Sequence, residues 1–499
     1  MKSLLTLSLA ALLALLPVNS REYKVAILSD IHLQPFYDPY IDASTYCVNK
    51  SISDFLDPPS RSKIYAPLGR ILCDSPALIV EGFIKRISEL KEPIDYLLLT
   101  GDMVGHTLSI ELYEEDQPEL YAKLKEVHTQ VSDYLAYYLP NTVILPTLGN
   151  NDYKYHYQSP SESDKQEFYS FFFQQYFKKQ PKNTQIQNLG DIQTTLMNGG
   201  YYRVDLSENI SFLGLNTMMF SIKNQPENQA CQQADQFQWL ERQFIDAEPG
   251  RKFILSNHIY PGTKIENRQL KKLWHSNFTV EFIELLQKYH DKVLIEISGH
   301  DHVADLRYNK GSYVEMVDKF LSVEEEQKDY NFHNLLIAPG VTSATAQNPG
   351  YTTFTLDNEQ TAVKDLQMTF LPIEKTYNNS YVVSDLDSWP WRHLEFKSLG
   401  INEITADSID SLKNRIIEDE AFLWKYLTLK IGYDPEDPVE MQKSISMHIN
   451  EVGIVDDDNN TYMYKCQMFN SLGHDDFLDC MEKTQPTEKN DRKVLKKKH

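Results

Sequence analysis

Five short apolar runs, Lys24–Leu28, Tyr96–Thr100, Val143–Leu145, Phe253–Leu255 and Val293–Ile297, each lead directly into a polar cluster. Runs this short and this apolar read as strands buried on both faces. The clusters are Ser29–His32, Gly101–His106, Gly149–Asp152, Ser256–His258 and Ser298–His302. Segments 76–91, 118–139, 162–178, 235–246 and 278–290 have helical spacing, so the alternation predicts an α/β domain. In an open α/β sheet the loops at the strands' carboxyl ends converge on one crevice, which lets the five clusters meet in space. Tyr201–Leu206, Ile210–Leu215, Leu335–Ala338 and Tyr351–Leu356 read as strands of a second sheet. Beyond about residue 400 only helices are expected, over Ser408–Leu429, Pro438–Asn450 and Met463–Glu482, covering the core or shaping the edge of the site.

The clusters supply carboxylate, amide and imidazole groups. Imidazole favours zinc, iron or manganese over magnesium, and a carboxylate can bridge two cations. We assign Asp30, His32 and His302 to one divalent ion, Asn150, His258 and His300 to a second, and Asp102 to the bridge between them. Gly101, Gly149 and Gly299 precede ligands at strand ends, where the absence of Cβ lets the backbone turn sharply and approach the site.

With these motifs the sequence resembles the calcineurin-like metallophosphoesterases, whose pattern is D-x-H, G-D, G-N-H-D/E, a lone His and G-H-x-H. Within that superfamily it is most similar to the acid sphingomyelinase-like phosphodiesterases. That closer likeness rests on Leu72–Pro76, His106 four residues after Asp102, Gln236–Leu240, Ala338–Thr342 with Asn348–Tyr351, and the Cys466/Cys480 region. The resemblance implies an α/β fold, a two-sheet β-sandwich flanked by helices, with a helical C-terminal region. It also implies two divalent metal ions, most plausibly zinc, and hydrolysis of a phosphodiester or phosphoanhydride by a hydroxide shared between them.

One position departs from the pattern: Asn151 stands where the family has histidine. Asn151 can donate a hydrogen bond to a phosphate oxygen but has no proton of useful acidity to give. A similar G-N-N-D among vacuolar polyphosphatase-like members keeps a polyphosphate substrate open. His156 is a loop histidine that either compensates or stands by. His106 is either the group that protonates the departing oxygen or an organiser of Asp102 and neighbouring ligands. Asp152 and Asp301 are expected to accept hydrogen bonds beside the centre.

The first twenty residues have Lys2, an apolar run Leu4–Leu16 and the small-residue ending Val18–Ser20, the pattern of a cleaved signal peptide. The run falls short of the roughly 20 residues a membrane span needs. The expected organisation is a signal peptide at 1–20, a catalytic domain at 21–400, a helical region at 401–485 and a basic tail at 486–499. Export to a secretory or acidic lumen fits sequons at Asn49, Asn209, Asn277, Asn378 and Asn459. Five cysteines allow two disulfides. Sequence does not fix their connectivity; proximity in the chain gives Cys47–Cys73 and Cys466–Cys480, with Cys231 left over.

A net charge of −22 disfavours duplex nucleic acid and anionic lipid as partners. No saposin-like segment precedes the first catalytic strand, so the expected substrate is small, soluble and phosphorylated. Sphingomyelin hydrolysis, or metal and phosphate binding without catalysis, are the alternatives. Oligomeric state is not legible.

Overall fold

The computed structural model describes residues 22–48, 61–108, 118–224, 230–266, 269–311 and 330–452. In chain order its strands are β1 (Glu22–Leu28), β2 (Tyr96–Leu99), β3 (Val143–Pro146), β4 (Tyr202–Asp205), β5 (Ile210–Gly214), β6 (Lys252–Ser256), β7 (Thr263–Glu266), β8 (Gln269–Lys272), β9 (Val293–Ser298), β10 (Asp305–Gly311), β11 (Tyr330–Ile337), β12 (Gly350–Asp357), β13 (Ala362–Phe370) and β14 (Arg392–Glu395). Twelve of them form two six-stranded sheets, β14-β13-β12-β1-β2-β3 and β10-β11-β9-β6-β5-β4, while β7 and β8 make a ribbon. One continuous core joins Val25, Leu98 and Leu145 of the first sheet to Phe212, Ile254 and Ile297 of the second. Each such side chain contributes about 1.5–3 kcal/mol on burial.

The five runs expected in one sheet divide between the two. β1, β2 and β3 are parallel neighbours in the first sheet, whereas β6 and β9 are parallel neighbours in the second. Tyr351–Leu356, expected in the second sheet, lies in β12 of the first and pairs antiparallel with β1, Val25 opposite Phe354 and Ile27 opposite Thr352. The physical reason is that runs apolar on both faces have no side-chain alternation to distinguish one neighbour from another. The expected convergence survives, because the cluster-bearing ends of both parallel sets lie along one edge of the sandwich. There Thr100 O, at the end of β2, meets His258 Nδ1, just past β6, at 2.7 Å, and Asp30, just past β1, accepts from His300 N, just past β9, at 3.1 Å.

Helices cover the sheets as their spacing predicts. In α1 (Ala77–Ser88) the stripe Ile79, Val80, Phe83, Ile84 and Ile87 is buried, and Lys85 and Arg86 in the last turn complement the helix dipole. α2 (Pro118–Tyr138) buries Leu120, Leu124, Val127, Val131 and Leu135. α3 (Lys165–Phe173) runs into a π-turn at Gln174–Lys178; α4 (Leu189–Gly199) was not anticipated; α5 (Ala230–Ile245) and α6 (Ser276–Lys288) follow.

The single helix expected over Ser408–Leu429 is two, α7 (Ala406–Glu418) and α8 (Glu420–Lys430). Asp419 breaks them: its backbone is extended (φ −122°, ψ 101°) and its carboxylate accepts from Phe422 N at 3.1 Å, capping α8. α9 (Pro438–Val452) completes the described chain. Leu412, Phe422, Leu423 and Tyr426 share the core of the sandwich, so this helical region packs as part of the same core.

Cys47 and Cys73 form a disulfide with 5.9 Å between their Cα atoms. Cys231 falls within α5, while Cys466 and Cys480 lie outside the described residues, as do the signal-like segment, the expected helix Met463–Glu482, the basic tail, Asn49 and Asn459. Asn277 and Asn378 are exposed and Asn209 is half-buried. No helix among the described residues is long and apolar enough to cross a membrane.

Candidate metal centre

Where the parallel strands run out, the chain turns through left-handed backbone at non-glycine residues: φ is 46° at Asp30, 43° at His32, 56° at Asp102, 75° at His300 and 61° at His302. This region costs an L-residue about 1–2 kcal/mol, so it persists only where the surroundings over-determine it. Buried hydrogen bonds do so here. His32 N donates to Asp102 O at 2.9 Å, and His300 N to Asp30 Oδ2 at 3.1 Å. Asp152 accepts from Asp102 N (2.9 Å), Met103 N (2.7 Å) and Gly149 N (2.7 Å), pinning two of the loops together. At Gly149 a Cβ would stand 2.1 Å from Asp102 Oδ1, so only glycine permits that approach.

These turns bring all seven ligand-type residues to one buried place. Asp102 Oδ2 lies 3.4 Å from His32 Nε2 and 3.2 Å from His258 Nε2, between two groups of donors. On one side, His32 Nε2 is 3.1 Å from His302 Nε2, and Asp30 Oδ1 is 3.7 and 3.4 Å from those nitrogens. On the other, His258 Nε2 is 3.1 Å from Asn150 Oδ1, and the His300 ring stands 5.2 Å from that of His258. Ligands about 2.0–2.2 Å from a zinc-like ion are roughly 3–3.5 Å from one another, which matches these separations. The tautomers suit the same purpose. His32 Nδ1 is engaged by Val104 O at 3.0 Å and His258 Nδ1 by Thr100 O at 2.7 Å, leaving both Nε2 atoms directed inward.

The electrostatics also fit cations. Burial acts to lower the His32 and His258 pKa values, yet Asp102 foremost, with Asp30, raises both to about 9. Burial would raise Asp102, but His258 and then His32 hold it well below the usual carboxylate range. Burial first, then Lys264 and His258, keep His300 far below its ordinary value; burial, then His32 and His106, do the same at His302. The carboxylates therefore draw protons onto two imidazoles, a demand that divalent cations would meet. Those protons compete with metal and are lost as pH rises towards 9. Metal affinity, measured by chelator competition, is expected to increase with pH across that range.

His106 borders the Asp30 side of the centre. Its ring stacks on His32 at 3.9 Å with an interplanar angle of 8°, and meets His302 edge-on at 5.5 Å. Asp74 grips it twice, Oδ1 against Nδ1 and Oδ2 against the backbone N, both at 2.7 Å. Burial would raise the Asp74 carboxyl, but His106 beside it outweighs that and lowers it. Asp74 lies within the Leu72–Pro76 motif, and no sequence pattern gives it a role of its own. Its position next to a disulfide cysteine is the signal that marks it as held in place.

Asn151 is fully buried and turned inward: its N donates to Asp102 Oδ1 at 2.8 Å and its Nδ2 to Asp102 Oδ2 at 2.7 Å. Its donor thus serves the candidate bridging carboxylate. His156 Nε2 lies 3.3 Å from Asn150 Nδ2, which places this loop histidine against a candidate ligand. Burial, the largest influence, lowers its pKa to about 3, so it is neutral.

Residues 23–304 match the family described as calcineurin-like phosphoesterase. The chain is 22% identical to a sphingomyelinase phosphodiesterase D of Dictyostelium discoideum, covering 84% of this chain and 91% of that one. It is 23% identical to a cyclic GMP-AMP phosphodiesterase of Bos taurus, covering 82% and 83%, and 23% identical to the human acid sphingomyelinase-like phosphodiesterase 3b, covering 80% and 81%. Among solved structures, PhoD is 11% identical with a TM-score of 0.40, over 70% of this chain and 66% of that one.

Proposed function

The chain belongs to the calcineurin-like phosphoesterase family, and on that premise we propose that it is a secreted or lumenal two-metal phosphodiesterase acting on a small soluble phosphodiester or phosphoanhydride, such as a nucleotide. The observation that carries the reading is Asp102 Oδ2, within 3.4 Å of the nearest donor of each ligand group. When bound, two divalent cations supply Lewis-acid polarisation of the phosphoryl oxygens and lower the pKa of a shared water. Asp30, His32 and His302 would hold one, Asn150, His258 and His300 the other, and Asp102 both.

The chain's own residues then divide the work. Asn151 fixes the orientation of Asp102 through both of its donors. Asp74 engages His106 Nδ1, so Nε2 is the nitrogen left to deliver a proton to the departing oxygen. A nucleotide substrate is favoured by the cyclic GMP-AMP phosphodiesterase among the relatives, and an oxidising compartment by the Cys47–Cys73 bridge.

The test is a screen of the purified protein against phosphodiesters, nucleotides, polyphosphate and sphingomyelin across pH, with metal content measured on the same sample. About two ions per chain, with hydrolysis of a soluble substrate exceeding that of sphingomyelin, is the expected result. Full metal loading with no hydrolysis of any of them would favour a binding protein, and a metal content near zero after gentle purification would sink the centre itself.

A further inference from the structure

A buried charge network ties the strained His300–Asp301–His302 turn to helix α8 of the C-terminal region. Asp301 Oδ2 accepts from the Tyr260 hydroxyl and, at 3.3 Å, from Arg307 Nη2. The same guanidinium donates from Nε to Asp305 Oδ2 at 3.1 Å and from Nη1 to Thr263 O at 3.1 Å, and lies 4.7 Å from the centre of the Tyr260 ring. Asp305 in turn accepts from Lys430 Nζ at 2.7 Å and from the Tyr426 hydroxyl at 2.9 Å, both on α8. Tyr426 returns a contact to the strand, accepting from Leu306 N at 3.0 Å, and Lys430 O accepts from Ala304 N at 2.9 Å. Tyr260, Asp305, Arg307, Tyr426 and Lys430 are all buried.

Two carboxylates here face two cations, with Arg307 shared between the carboxylates. If Lys430 is removed, Arg307 is the one cation among the described residues still paired with Asp305, which shares it with Asp301. Removing one partner of a buried ion pair leaves an uncompensated charge, and because Arg307 is shared, any shift of its guanidinium towards Asp305 weakens its bond to Asp301. That residue sits between two candidate ligands whose left-handed backbone needs external support. One of them, His302, faces the Asp30 side of the centre, and the other, His300, the Asn150 side.

We propose that Tyr426 and Lys430 are positioning residues of the metal centre, acting through Asp305 and Arg307 to hold the turn that presents His300 and His302. Helix α8 is thereby part of the metal-binding apparatus. The inference rests on the metal centre described above and not on catalysis, so it is read out by metal affinity.

The experiment uses the full mature chain. Zinc affinity is measured by competition with a chromogenic chelator for wild type, Tyr426→Phe, Lys430→Met, Lys430→Arg and the control Asp419→Ala. The control removes the cap of the same helix without touching the network. Partners that orient metal ligands are typically worth about 10–100-fold in metal affinity. Tyr426→Phe and Lys430→Met are expected near tenfold, with Lys430→Arg closer to wild type and Asp419→Ala unchanged. Excess zinc should raise the thermal midpoint of both weakened variants, while Lys430→Met keeps a deficit from the broken buried pair. Wild-type zinc affinity in Tyr426→Phe and Lys430→Met would overturn the proposal, as would an equal loss in Asp419→Ala. Should Lys430→Met not fold, Tyr426→Phe, which deletes one oxygen, decides alone. Wild type that binds zinc but hydrolyses nothing would defeat the functional reading while leaving this one intact.

Discussion

On the proposed two-metal reading, Asp102→Ala is expected to remove both cations and lower turnover by at least about 10³-fold on every substrate. One oxygen of this carboxylate faces both donor groups, at 3.4 and 3.2 Å, so its loss takes a ligand from each. Lewis-acid stabilisation is worth several kcal/mol, and about 4 kcal/mol corresponds to roughly 10³ in rate. The deletion also strips His32 and His258 of the carboxylate that most raises their pKa, so both should titrate lower. Elemental analysis and NMR of the histidine ring protons check the two halves independently. Retention of two tightly held metals would mean that Asp102 is not the bridge.

His106→Ala is expected to behave differently. Turnover of substrates with poor leaving groups should fall by about 10²–10⁴-fold, whereas activated aryl phosphodiesters, whose leaving group departs without a proton, should be nearly spared. Metal content should remain unchanged, because His32 Nδ1 is held by Val104 O at 3.0 Å and His302 Nδ1 by Thr345 Oγ1 at 3.3 Å, neither through His106. Asp74→Asn should reproduce part of the effect, since the carboxylate that orients the ring is weakened but not removed. The outcome that overturns the assignment is equal loss on both substrate types together with loss of metal. His106 would then be an organiser of the centre.

The seven ligand-type residues were legible because each follows a strand whose buried, β-rich run announces where it stops, and parallel strands of one layer stop together. The division of those strands between two sheets was not, because Ile27 and Ile254 are equally apolar and carry no mark of which neighbour they face. Asp419 shows the opposite failure. Its capping chemistry was visible, yet strong helical spacing on either side read through it. The contact of Asn151 Nδ2 with Asp102, 49 positions away, is one that no local pattern encodes. The ties from Tyr426 and Lys430 to Asp305 span more than 120 positions and left no periodic signal.

The placement of ligands on both sheets has a mechanical consequence. Asp30, His32, Asp102 and Asn150 follow strands of one sheet, and His258, His300 and His302 follow strands of the other. Each cation would therefore be a rivet through the two halves of the sandwich, able to bind only while those halves stay in register. A ligand that binds only the folded form raises its stability by about 4 kcal/mol at a thousand times its dissociation constant. The protein's resistance to heat and to proteolysis would then report the free metal of its surroundings, with scarcity loosening the seam between the sheets.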